Sequence, residues 1–221
     1  MLTLVLTRHG STPRSDPEQH LGQRLDLPLS DAGRAAARAL GERLAGVPFD
    51  RVVSSALARA RETTSLVVPG FDVEIDARLS EMDYGRWEGL TYAQIDALDA
   101  AGRRRWEEDP AGIACPGGES GDQVAQRVRS LLVDLIGRAD GSGGLSGSVG
   151  PRVLVVAHST TNRVLLSVAL GVPIRDYRRH FMQAPANLTV LRFPGSLEDG
   201  ARLLVANDVS HIRGVRGDTW E

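Results

Sequence analysis

Arg8 and His9 directly follow the apolar run Leu2 to Thr7, and His158 directly follows Val153 to Ala157. Both runs read as buried strands, and in an open α/β sheet ligands bind beyond the carboxyl ends of the strands. Two histidines far apart in sequence can therefore meet at one sheet edge. Arg59 follows a further short strand, Arg51 to Ser54, and can face the same edge. Glu81 stands on a segment that breaks the strand–helix alternation and can close over it. Arginine's planar fork matches phosphate oxygens and stays charged at any working pH. A neutral imidazole is a good nucleophile toward phosphorus, and a covalent step divides one high barrier into two lower ones. Fixed cations stabilise the charge on the equatorial oxygens of the transition state. A carboxyl group near the leaving oxygen can supply its proton.

The elements that must position these residues alternate. After the first strand comes a polar loop to about Leu29, then a helix capped by Ser30 and stopped near Gly46. A helix over Ala56 to Val67 and a strand at Val73 to Ile75 follow. Thr91 with Gln94, and Ser120 with Gln123, have capping-box spacing and open two more helices. The second carries an apolar face from Val124 to Ile136 at helical spacing. A Gly/Ser-rich stretch, Asp140 to Gly150, reads as a surface linker before the Val153 to Ala157 strand and a helix from Thr160 to Leu170. Leu188 to Phe193 and Leu203 to Ala206 complete the strands, as a hairpin. The expected fold is α/β: a single three-layer domain spanning 1–221, with a mostly parallel central sheet, helices on both faces, and a helical insertion at about 76–118 over the active-site edge.

Composition narrows the chemistry. The chain has 42% hydrophobic and 24% charged residues and a net charge of −2, which gives no general attraction to nucleic acid or membrane. No apolar stretch reaches membrane-spanning length, and a single cysteine, Cys115, rules out an internal disulfide, so a cytoplasmic location is expected. All 26 Lys-plus-Arg residues are arginine. A Walker P-loop, a kinase strand lysine and a pyridoxal Schiff base each need lysine, so none can be built here. Zinc sites often use closely spaced histidine pairs, and none occurs.

Arg8-His9-Gly10-Ser11-Thr12 resembles the signature of the histidine phosphatase superfamily, in its phosphoglycerate-mutase-like branch. Further blocks fit in order: Asp26 to Gly33, Ser54 to Ala60 around Arg59, Leu79 to Gly89 around Glu81, Pro116 to Ser120, and Val155 to Ser159 around His158. The resemblance implies that His9 becomes a phosphohistidine later released by water. It also implies that Arg8, Arg59 and His158 hold the phosphoryl oxygens, and that Glu81 protonates the leaving group and then activates water. No metal and no cofactor are implied. The expected partner is a small-molecule phosphate ester, and a homodimer is left open. Two positions depart from the family pattern. Ser15 stands where asparagine is frequent, and Ala157-His158-Ser159 replaces Gly-His-Gly. Ser15, Arg14, Gln23 and Ser159 are taken as further substrate- or phosphate-binding candidates.

Two other readings stay in competition: a phosphoglycerate or phosphosugar mutase primed by a bisphosphate, and a non-catalytic phospho-ligand binding module. The chain lacks the extra length usual in cofactor-dependent mutases, which favours hydrolysis. His20, His180 and His211 are expected to face solvent or be satisfied locally, Trp87 and Trp106 to pack, and Cys115 to be a buried bystander.

Overall fold

The computed structural model describes residues 1–16, 18–141 and 150–212. Six strands form one mixed sheet: β1 (Leu2–Arg8), β2 (Arg51–Ser54), β3 (Val73–Ile75), β4 (Arg152–Ala157), β5 (Leu188–Phe193) and β6 (Arg202–Asp208). Their order is β3-β2-β4-β1-β5-β6. The first four strands in that order run parallel, and β5 and β6 add an antiparallel hairpin beside β1.

The helices are α1 (Asp31–Arg43), α2 (Ala58–Val67), α3 (Tyr92–Glu108), α4 (Gly121–Gly141), α5 (Ser159–Leu170) and the one-turn α6 (Tyr177–His180). Their starts follow the signals in the sequence. Ser30 accepts the Gly33 amide at the head of α1, and Thr91 with Gln94 forms the complete capping box of α3. Ser120 and Gln123 exchange the same pair of bonds before α4. α2 begins two residues later than expected, because Leu57 is extended and its amide turns back to Ser55 Oγ.

Strand periodicity divides the core into two layers. Val153, Val155 and Ala157 of β4 pack with Leu2, Leu4 and Leu6 of β1 against α4 and α5. Leu154 and Val156 of β4, with Val5 and Val52, pack against α1 and α2. The expected three layers are therefore present. The chain leaves β1 for α1 on one face and leaves β4 for α5 on the other. Neighbouring parallel strands whose connections part in this way open a crevice at their carboxyl ends. The segment between β3 and α4 carries two short 3-10 turns (Ala77–Leu79 and Gly85–Trp87) and α3, and packs on the α4/α5 side through Leu79, Met82, Trp87 and Ile95. Among the described residues no helix is long and apolar enough to cross a membrane. Most of the Gly/Ser-rich linker, and the end of the tail after Asn207, lie outside the described residues.

Candidate active site

The β1–β4 crevice brings the two histidines together. Arg8 ends β1, paired with Ala157, and the His9 amide continues the ladder to the Ala157 carbonyl at 3.0 Å. The His9 and His158 rings lie 5.1 Å apart between centroids, and both side chains are buried. Gly10 and Gly33 let the segment after His9 lie close against the start of α1. A Cβ on Gly10 would meet the Gly33 carbonyl oxygen at 2.5 Å, and one on Gly33 would meet the Ser11 carbonyl oxygen at 2.1 Å. The backbone after His9 is thus pressed onto the start of α1, with the Gly10 amide donating to Thr63 Oγ1 at 3.0 Å.

The hydrogen bonds assign the nitrogens. His9 Nδ1 lies 2.7 Å from the Gly10 carbonyl, which can only accept, so Nδ1 carries the proton and Nε2 keeps its lone pair. His158 Nε2 lies 2.8 Å from Ser55 Oγ. With the serine donating, His158 presents Nδ1–H, a buried nitrogen without a partner. Burial first, then the charges of Arg59 and Arg8, push His9 well below the ordinary histidine range. Burial and Arg59 do the same to His158. Both imidazoles are neutral near pH 7.

Arg59, on the first turn of α2, is 0% exposed. The loop before α1 wraps it: its Nη atoms donate to the carbonyls of Leu21, Gly22 and Leu25, at 2.7–3.3 Å, and one lies 3.8 Å from Asp26. Arg8 donates from Nη1 to the Gln183 carbonyl at 2.9 Å, and its amide donates to Asn187 Oδ1 at 3.0 Å. The Nε atoms of both arginines are buried and unpartnered. A tetrahedral oxyanion matches that inventory, because a buried donor without an acceptor is costly.

Glu81 reaches the crevice as expected, and its carboxylate meets the start of α5. Oε1 accepts from the amides of Met82 (2.9 Å) and Thr161 (3.1 Å) and from Thr161 Oγ1 (3.2 Å), while Oε2 accepts only from the Thr160 amide at 3.2 Å. Two first-turn amides of α5, orphaned by helix geometry, are thereby satisfied. Oε2 keeps a lone pair for a reacting proton. The neighbouring acids are occupied elsewhere: Asp83 accepts from Gly85 and Arg24, and Glu88 Oε1 from the amides of Arg24 and Leu25.

A cleft of about 670 Å³, counting its open mouth, is lined by Arg8, His9, Glu81, Arg14, Ser15 and Ser159 among others. Arg14 donates to Gln19 Oε1 at 2.7 Å, and Ser15 Oγ accepts the Thr12 amide at 2.9 Å. The Gln23 amide nitrogen donates to the Glu81 carbonyl at 2.7 Å and to Glu119 Oε2 at 3.2 Å, so it braces the backbone of Glu81. His20 is satisfied within the fold and does not face solvent. It is buried in the cleft wall, edge-on to Tyr84 and Tyr92 at 4.7 Å, with Nδ1 3.3 Å from the Leu90 carbonyl. Cys115 is buried in the core cluster and its thiol is pushed up to about 12 by burial. Ser55, Gln183 and Asn187, the braces of His158 and Arg8, escaped sequence reading. Only the Ser54-Ser55 pair in the Arg59 block pointed toward one of them.

The chain matches the model of the histidine phosphatase superfamily (branch 1) over residues 4–208. It is 38% identical over 176 residues to a glucosyl-3-phosphoglycerate phosphatase of Mycobacterium tuberculosis, covering 79% of this chain and 78% of that protein. It is 30% identical over 221 residues to "Probable phosphoglycerate mutase GpmB" of Salmonella choleraesuis, covering 96% and 95%. The solved structure of Bacillus stearothermophilus YhfR superposes with a TM-score of 0.83 at 29% identity, covering 96% of this chain and all of that one. The chain belongs to the histidine phosphatase superfamily, and its enzyme class is phosphatase, a hydrolase of phosphate esters. Among the described residues no three His, Cys, Asp or Glu side chains group as a metal site.

Proposed function

We propose that the enzyme hydrolyses small phosphate monoesters without a metal, through a phosphohistidine on His9. One observation carries the reading: His9, with a lone pair on Nε2, lies beside His158 and under the charges of Arg8 and Arg59, and Arg8 Nε, Arg59 Nε and His158 Nδ1 are buried with no acceptor within the protein. In this reading His9 Nε2 attacks phosphorus while those donors hold the equatorial oxygens. Developing negative charge then meets cations fixed in advance, with little reorganisation. Glu81 gives its proton to the leaving oxygen as the ester bond breaks. It recovers a proton from the water that later attacks the phosphohistidine, which returns His9 and releases orthophosphate. The charge balance and the lone cysteine support a cytoplasmic enzyme with no nucleic-acid partner.

The test is release of phosphate from p-nitrophenyl phosphate with a chelator present. Wild type turns over and traps label on His9 from a labelled ester, and His9→Ala does neither. Equal rates in the two proteins would end the mechanism. The mutase reading is favoured by the name of the Salmonella relative. Isomer interconversion dependent on a bisphosphate, without net phosphate release, would establish it instead.

A further inference from the structure

The Arg8 guanidinium is tied to the protein at one point. Among the described residues its single hydrogen bond runs from Nη1 to the Gln183 carbonyl at 2.9 Å, while Nε is unpartnered and Nη2 lies 3.8 Å from Glu18. The peptide that carries this carbonyl is fixed in turn. Its N–H, on Ala184, donates to Asn207 Oδ1 at 2.7 Å. A peptide unit is planar, so its C=O and N–H turn together. A rotation that breaks the bond to Asn207 therefore also carries the oxygen away from Arg8. Asn207 is itself tied down, its amide donating to Thr189 Oγ1 of β5 at 3.1 Å. Ala186, two residues further along the loop, repeats the pattern. Its amide donates to the Arg8 carbonyl at 3.0 Å, and its own carbonyl accepts from His211 Nε2 at 2.9 Å.

Two features set Asn207 apart from ordinary packing. Ala186 and Asn207 are the two non-glycine residues at positive φ among the described residues, at 51° and 48°. Such backbone strain persists only where the surroundings over-determine it, and it gathers at functional sites. Asn207 also does not line the active cleft; it lines a separate small pocket with Leu166, Phe181 and Met182. It can therefore reach the chemistry only through another residue. We propose that Asn207 is a positioning residue for Arg8. It holds the Gln183–Ala184 peptide with its oxygen on Arg8 Nη1, so that the guanidinium keeps Nε for a phosphoryl oxygen. The proposal rests on the phosphatase reading for what Arg8 binds.

Glycine adopts the left-handed region without strain, so Asn207→Gly removes the acceptor and keeps the backbone. Aspartate keeps an acceptor oxygen and also tolerates that region. The assay is kcat/KM on p-nitrophenyl phosphate per folded protein, with the folded fraction taken from circular dichroism. Asn207→Gly is expected to lower it about two- to tenfold, the net worth of one hydrogen bond, and Asn207→Asp to recover most of that loss. In an Arg8→Met background Asn207→Gly is expected to change nothing, because the guanidinium it positions is gone. A merely structural role would slow both backgrounds alike. An unchanged rate for Asn207→Gly, an aspartate variant as slow as the glycine one, or an equal fall in the Arg8→Met background would overturn the assignment. Failure of the phosphatase reading shows separately, as absence of p-nitrophenyl phosphate turnover by wild type.

Discussion

Removing one buried hydroxyl, in Ser55→Ala, tests how His158 is kept useful. Ser55 and His158 are both fully buried and bonded at 2.8 Å; with the serine donating, the imidazole proton sits on Nδ1, which in the proposed mechanism meets a phosphoryl oxygen. Without the serine, Nε2 is left unpaired in the interior, a cost of about 1–3 kcal/mol. Nε2 is unpaired in either tautomer, so nothing then holds the proton on Nδ1, and the tautomer with the proton on Nε2, which turns a lone pair toward the phosphoryl oxygens, becomes populated. The preference lost is the net worth of one hydrogen bond, about 0.5–1.5 kcal/mol. That corresponds to a fall in kcat/KM of about two- to tenfold. Deleting the imidazole outright should cost about 10²–10³, as for one oxyanion donor. The assay is kcat/KM on p-nitrophenyl phosphate for Ser55→Ala, His158→Ala and the double variant. If Ser55 acts through His158, the double variant matches His158→Ala within about twofold, since only interacting sites depart from additivity. A double variant slower than His158→Ala by the full Ser55→Ala factor would refute the tautomer argument. Ser55 would then act through its other bond, from the Leu57 amide at 3.3 Å.

With His9 and His158 both held well below 6.5, chiefly by burial, the acid limb of kcat/KM should lie below pH 6.5; a limb at 6.5 would mean a protonatable nucleophile. The same shifts have a stability sign. As pH falls through about 6.5 the unfolded chain takes up protons that the folded histidines refuse, so the urea midpoint should decline from pH 7 toward 5. Gly33→Ala sets a Cβ 2.1 Å from the Ser11 carbonyl and should cost about 1–3 kcal/mol, read as a lower Tm by about 2–12 °C together with a slower enzyme. Glu81→Gln should slow alkyl phosphates by about 10²–10⁴ and aryl phosphates much less; a uniform effect would remove Glu81 from proton transfer.

The strands and the catalytic pair were legible because their signals are local. Leu2 to Thr7 is a mainly apolar run of strand formers and Val153 to Ala157 a continuous apolar one, as strands covered on both faces tend to be, and the histidines lie at or just past their ends. Capping by Ser30 and Thr91 could be read for the same reason, since both partners of each bond lie within three residues. What sequence reading missed is set by separations of tens of residues. Gln23 reads as a substrate- or phosphate-binding candidate, and the chain folds its amide against the Glu81 carbonyl, 58 positions away. Arg178 carried no signal in the sequence, and packing against Trp106, 72 positions earlier, places it in the cleft lining. The two histidines are separated by far more, and they were legible only because a parallel sheet collects strand ends at one edge. Chemistry delivered by strand ends can thus be read from one sequence, while the residues that brace it and select its substrate come from loops and helices whose meeting depends on the whole fold. In the proposed mechanism Arg8, His9 and His158 belong to the first kind, and Trp106, Arg163 and Arg178, which line the adjoining cleft, to the second. Substitutions in the second group should therefore change which ester is preferred, and substitutions in the first should slow every ester alike.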